Sequence, residues 1–284
     1  MSINKHYPTV CMVLFLLCFH MIGCRCGKRS PCRKPFLKQL KEKVPPAAPT
    51  PVNQRASCIT QPFAGLSNVG NSCYMNAVFQ VVAALYAGKV NGALKELVSG
   101  MNTRHEPVER GAMQNFIQNI KNEATSEELK KILNTGNQVD AIEFFEFINK
   151  DFKFLNNGEG PFRVSPNANS SLSDLVNNRI DQLEKEMKIK IEMPDQLVIH
   201  LQRVGATKVA VEGTASFSLN GSAYDLNGFI CHSGIDNSGH YFAYVKRNEK
   251  WYEANDSLVR EVEDAYAFEQ SKKASGLFYS KKAQ

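Results

Sequence analysis

Cys73 stands where a loop of small, turn-forming residues, Gly65 to Ser72, gives way to apolar residues at helical spacing: Met75, Val78, Phe79, Val82 and Leu85. A cysteine in the first turn of such a helix lies beside unpaired backbone N–H groups and the positive end of the helix dipole, which favour thiolate over thiol. The thiolate is the nucleophile of cysteine chemistry. A buried structural cysteine fits the same pattern, so the rest of the chain has to decide. Downstream, Tyr241 to Val245 is rich in aromatic and β-branched residues, Arg247-Asn248-Glu249 is polar, and Trp251-Tyr252 starts a second such run. This reads as a hairpin turning near Asn248, which brings His240 opposite Asn255 or Asp256 to within one residue. An amide or carboxylate there can hold an imidazole in one tautomer, so the three positions read as a Cys-His-Asn arrangement.

The elements that must position these residues carry further patterns. Asn137-Gln138-Val139-Asp140-Ala141-Ile142-Glu143-Phe144-Phe145 reads as a helix start, with Asp140 and Glu143 on one face and Ala141, Phe144 and Phe145 able to turn inward. Leu197 to Leu201 and Tyr224 to His232 are strand-like runs, Leu172 to Met187 has helical periodicity, and Gly276-Leu277-Phe278-Tyr279 reads as a last strand. Gly234 to Gly239 reads as a short mobile loop able to close over a substrate.

Taken in order, these segments resemble the ubiquitin-specific proteases. Gly65 to Gln80 resembles that family's Cys box, and Gln138 to Phe144 its Gln-x-Asp-Ala-x-Glu-Phe helix. Met193 to Arg203 resembles its Leu-Pro-x-x-Leu-x-x-x-Leu-x-Arg strand, and Tyr224 to Val262 its His box. The resemblance implies an α+β, papain-like fold with a helical lobe facing an antiparallel β lobe. It implies Cys73 as nucleophile, His240 as general base, Asn255 as the residue orienting His240 with Asp256 sharing that task, and Asn68 as an oxyanion donor. Gln138, Asp140 and Glu143 are implied contacts for the modifier's basic C-terminal tail, and Tyr241 and Trp251 walls of its channel. No cofactor is implied. The partner implied is ubiquitin or a ubiquitin-like protein, SUMO or Nedd8, with its conjugates. A catalytically silent ubiquitin-binding module is the competing class.

The chain departs from that family in lacking the two Cys-x-x-Cys pairs of its zinc-binding fingers, so no metal is expected and the fingers should be reduced or missing. Ser72 stands where Thr is usual, and Val204 where Phe commonly follows the Arg.

Charge is uneven along the 284 residues. Residues 1–58 hold ten Lys or Arg and one acid, leaving 24 basic and 27 acidic residues for the remainder, so the net charge of +6 gives no case for nucleic-acid binding by the catalytic part. Val10 to Ile22 is apolar but for His20, which suits a signal-peptide core and is short for a membrane span. Met21-Ile22-Gly23-Cys24 loosely resembles a bacterial lipoprotein cleavage box. The cationic residues after the run, Arg25 to Lys38, suit a retained anchor with a cytosolic domain, or contact with anionic lipid through residues 10–38. Val44 to Pro51 reads as an extended spacer. The expected organisation is therefore a signal or anchor at 1–23, a basic then Pro-rich linker at 24–62 and a catalytic domain at 63–281. Location is expected to be either a bacterial effector acting in host cytosol or a membrane-tethered eukaryotic enzyme facing it. Five of the eight cysteines lie between Cys11 and Cys32, and only Cys58, Cys73 and Cys231 follow, which makes no disulfide framework.

Overall fold

The computed structural model describes residues 61–282 apart from residues 159, 168–170, 189, 204–208 and 236–237. The expected anchor, the expected linker up to residue 60 and all cysteines before Cys73 lie outside the described residues. So does Val204.

Helix α1 (Cys73–Leu85) is buried over eleven of its thirteen residues, Cys73 through Ala83. A helix apolar on every side must be surrounded. Strand β5 (Ser238–Arg247) flanks it on one side, and helices α2 (Gly92–Thr103) and α5 (Ala141–Phe152) flank it on the others. Tyr74 and Phe79 meet Phe144 of α5 edge to face, with ring centroids 5.3 and 5.7 Å apart. Each such ring contributes roughly 1.5–3 kcal/mol by burial. The two polar residues of this stretch, Asn76 and Gln80, donate to the carbonyls of Leu66 and Ala64 and so dock the incoming loop along the helix. Helices α3 (Arg110–Glu123) and α4 (Glu127–Thr135) complete this lobe, and α4 ends at Gly136 in the left-handed region that glycine accepts without strain.

Eight strands among the described residues form one sheet in the order β1-β2-β8-β4-β5-β6-β7, with β3 beside β4. They are β1 (Phe162–Val164), β2 (Gln196–Leu201), β3 (Ser216–Leu219), β4 (Ser222–Ile235), β5, β6 (Lys250–Asn255), β7 (Leu258–Val262) and β8 (Gly276–Lys281). All pairs are antiparallel except β1 with β2. The last strand of the chain is inserted at the middle of the sheet, and its near-continuous apolar run fits burial on both faces. Val198, Val245 and Phe278 face the helical lobe, while Leu197, Ile199, Tyr244, Leu277 and Tyr279 face a second core. That second core is covered by α6 (Leu172–Met187), which starts at Ser171 with its side chain accepting from the Asp174 N–H, and by α7 (Asp264–Ser271). Helix α6 fills the interval where the family's fingers were expected to be reduced.

Two hairpins set the site. At the β5–β6 turn Asn248 and Glu249 both have positive φ, 49° and 62°, the requirement of a two-residue hairpin whose twist matches its strands. The expected loop from Gly234 to Gly239 is largely absent: the β4–β5 ladder continues through Gly234↔Gly239 to Ile235↔Ser238. Gly234, Ile235, Ser238 and Gly239 are tied into that ladder.

Candidate active site

Cys73 is the first residue of α1 and is 3% exposed. Ser72 occupies the N-cap position, yet its hydroxyl accepts from the Val69 N–H at 2.9 Å instead of capping its own helix. The first-turn N–H groups of α1 therefore keep their positive ends without a side-chain cap, beside the sulfur. The Gln138 side chain comes in from the α4–α5 connection. Its Nε2 donates to Cys73 Sγ at 3.2 Å and to the Gly239 carbonyl at 3.0 Å.

His240, the third residue of β5, has Nε2 2.7 Å from Asn255 Oδ1 at the end of β6. With Nε2–H donating to that carbonyl oxygen, the neutral ring keeps its lone pair on Nδ1. Ladder pairing ends at Ala243↔Ala254, whose extrapolation puts residue 257 across from His240, so the imidazole reaches back diagonally to Asn255. Asp256 follows in the left-handed region, with φ 50°, which aspartate tolerates better than most residues. Its Oδ2 is 4.0 Å from His240 Nε2.

Asp256 is the point at which the Cys and His segments lock together. Oδ1 accepts from Asn76 Nδ2 at 2.7 Å and Oδ2 from Asn68 Nδ2 at 3.0 Å, while its backbone carbonyl accepts from the Leu66 N–H at 2.7 Å. Gly65 lies so close to this turn that a Cβ there would be 2.3 Å from the Ser257 carbonyl oxygen, so glycine is required. Asn68 Oδ1 accepts from the Gly70 and Ser72 N–H groups, which fixes the amide with Nδ2 toward Asp256. Arg110 donates to the Asn68 and Val69 carbonyls and braces the same loop.

The acidic pair divides. Asp140 caps α5, with Oδ1 accepting from the Ile142 and Glu143 N–H groups at 2.8 and 3.1 Å, while Oδ2 accepts from the Tyr241 hydroxyl at 3.2 Å. Burial and then the Asp140 charge hold that hydroxyl protonated, far above the ordinary tyrosine range. Tyr241 is 7% exposed and its ring lies 4.5 Å from that of His232, so it ties β5 to α5 as a packed residue. Glu143 is the exposed member. Desolvation by its surroundings, then Asp140, push its carboxyl pKa up. His200 on β2 also faces Asp140 at 3.6 Å, and burial lowers its pKa.

Trp251 overturns an expectation. It is wholly buried, 5.6 Å from the Phe229 ring and 5.9 Å from Phe268, in the core on the face of the sheet away from α1. Alternation along β6 sends Tyr252 and Ala254 toward α1 and Trp251 to the opposite face, so it walls no channel.

Among the described residues, no group of three or more His, Cys, Asp or Glu is placed to hold a metal ion, and no helix is long and apolar enough to cross a membrane. Asn76 was not singled out from the sequence. An Asn one turn after the cysteine, on a helix whose only other side-chain amide is Gln80, was the available signal.

Residues 64–279 match the family described as ubiquitin carboxyl-terminal hydrolase. The chain belongs to that family. The hydrolase domain is a cysteine deubiquitinase domain of the ubiquitin-specific protease type, with the α+β fold expected. Its fold is similar to solved SAGA DUB modules. One, with Ubp8, Sgf11, Sus1 and Sgf73 bound to monoubiquitin, has a TM-score of 0.57 at 15% identity, covering 79% of this chain and 70% of that one. A second, bound to ubiquitin aldehyde, has a TM-score of 0.57 at 14% identity over 80% and 71%. A third, a yeast module with a substituted Sgf73, has a TM-score of 0.55 at 15% identity over 80% and 70%.

Proposed function

We propose that this hydrolase domain cleaves the amide or isopeptide bond after the C-terminal glycine of ubiquitin, with Cys73 as nucleophile and His240 as its base. The observation that carries the reading is the His240–Asn255 hydrogen bond. It fixes the tautomer that leaves Nδ1 basic, in a site whose cysteine heads an uncapped helix. His240 Nδ1 takes the thiol proton, and the thiolate attacks the glycine carbonyl. As negative charge develops on the carbonyl oxygen, the Cys73 backbone N–H and the Asn68 amide hydrogen not engaged by Asp256 donate to it. Protonated His240 then delivers its proton to the departing lysine amine. Water, deprotonated by the same imidazole, hydrolyses the thioester and releases ubiquitin with a free carboxylate.

Ubiquitin as the partner is supported by the family match and by similar folds solved with ubiquitin bound. Among the tail contacts, Glu143 is the exposed carboxylate suited to a cationic tail, and Asp140 acts by capping α5 beside it. The basic segment following Val10 to Ile22 supports a cytosol-facing domain, and the lipoprotein-like start supports delivery from a bacterium.

Hydrolysis of ubiquitin, SUMO and Nedd8 bearing a fluorogenic C-terminal amide, followed with the full chain and its Cys73→Ala variant, tests this. Ubiquitin should be turned over with kcat/KM at least tenfold above the other two, and the variant should be silent. Preferential turnover of SUMO or Nedd8, or hydrolysis surviving in Cys73→Ala, overturns the reading.

A further inference from the structure

Gln138 makes a contact that the reaction just described does not use. It lies on the connection between α4 and α5, fixed at both ends: Asn71 Nδ2 donates to the Gly136 carbonyl at 3.1 Å, and Asp140 caps α5. Between these anchors the carboxamide reaches the sulfur of Cys73 at 3.2 Å and the carbonyl of Gly239, the residue before His240, at 3.0 Å. Gly239 is itself held by its pairing with Gly234, and no side chain fits there, since a Cβ would meet His232 Nε2 at 2.1 Å. Nε2 carries two hydrogens, and the two contacts account for both. One thus points at the reacting atom.

We propose that Gln138 is a further catalytic residue, whose amide N–H donates to Cys73 Sγ and holds the sulfur as thiolate at the junction of α1 and β5. This deepens the reading of Cys73 as nucleophile and rests on it. A donor interacts more strongly with an anionic acceptor than with a neutral one, so this contact strengthens as charge gathers on the sulfur. The gain is partial. A thiolate so stabilised is also a weaker nucleophile, by a Brønsted slope of roughly 0.4–0.5. Lowering the thiol pKa by one unit raises the thiolate fraction at neutral pH up to about tenfold and gives back about threefold in intrinsic reactivity.

Alkylation of Cys73 by iodoacetamide tests this without ubiquitin, so its outcome is separate from that of the deubiquitinase reading. The thiolate displaces iodide, and the rate is read on the Cys73-containing peptide by mass spectrometry, across about pH 5 to 10, in the full chain. In Gln138→Met, which keeps length and removes the donor, the midpoint should rise by about half to one unit and the high-pH plateau by about two- to threefold. Gln138→Lys, which restores an N–H donor with positive charge, should bring the midpoint back to the parent value or below. A midpoint unchanged in both variants overturns the proposal and leaves Gln138 as a tie between α1 and β5. An unchanged midpoint with faster ubiquitin turnover in Gln138→Met also overturns it, and makes the side chain an obstruction that substrate displaces.

Discussion

His240→Ala should lower kcat for a ubiquitin C-terminal amide by about a thousandfold or more, with KM nearly unchanged, because the imidazole moves protons in both halves of the reaction. Asn255→Ala should cost far less, about ten- to a hundredfold. That substitution removes only the acceptor 2.7 Å from Nε2, so the ring is still present but loses its fixed tautomer and orientation. Steady-state kinetics measures both. Equal losses in the two variants would mean that Asn255 does more than orient, and a loss in His240→Ala below about tenfold would remove it from the chemistry.

Asp256→Ala should lower kcat by about a hundredfold and also destabilise the fold, by a different route. Its carboxylate lies 4.0 Å from His240 Nε2, beyond hydrogen-bond reach, and accepts instead from Asn68 and Asn76. Removing it strips an acceptor from two amides, one of them on Asn76 at 2% exposure, at roughly 1–3 kcal/mol for each donor left unpaired. Asn76 keeps its bond to the Leu66 carbonyl, which places its share at the low end. Asn68 loses the partner that holds its Nδ2 in place, and the oxyanion loop loosens. If Asp256 works through Asn68, Asn68→Ala and Asp256→Ala should be strongly non-additive in kcat, the double variant resembling the worse single one. Additive losses would place Asp256 with His240 instead. Tm measured on the same variants separates the stability cost from the catalytic one.

The separation of roles between Asn255, which holds His240, and Asp256, which holds Asn68 and Asn76, shows how far a sequence can be read. Cys73 at a helix start was legible because a Gly and Asn loop meets an apolar 3.6-residue period, and both signals are local. Helix α6 was legible, to its bounds at Leu172 and Met187, for the same reason. The hairpin joining His240 to Asn255 was legible because turn chemistry fixes register within a residue. Asp256 as the link to Asn68 and Asn76 was not, since it depends on how the loop at Gly65 seats against the β6–β7 turn, a contact between residues some 190 positions apart. Trp251 was misplaced because strands buried on both faces give no clue in their alternation as to which face meets the cleft. The insertion of β8 between β2 and β4 is likewise a tertiary choice that its apolar run does not encode.

Attack of Cys73 on the C-terminal carbonyl of ubiquitin can be captured covalently. The most direct measurement is to incubate the full chain with ubiquitin carrying a C-terminal thiol-reactive warhead, then map the adduct by intact and peptide mass spectrometry. One adduct is expected, on the peptide containing Cys73, and none in Cys73→Ala. No adduct in a folded sample, or one that persists on another cysteine in that variant, would contradict that attack.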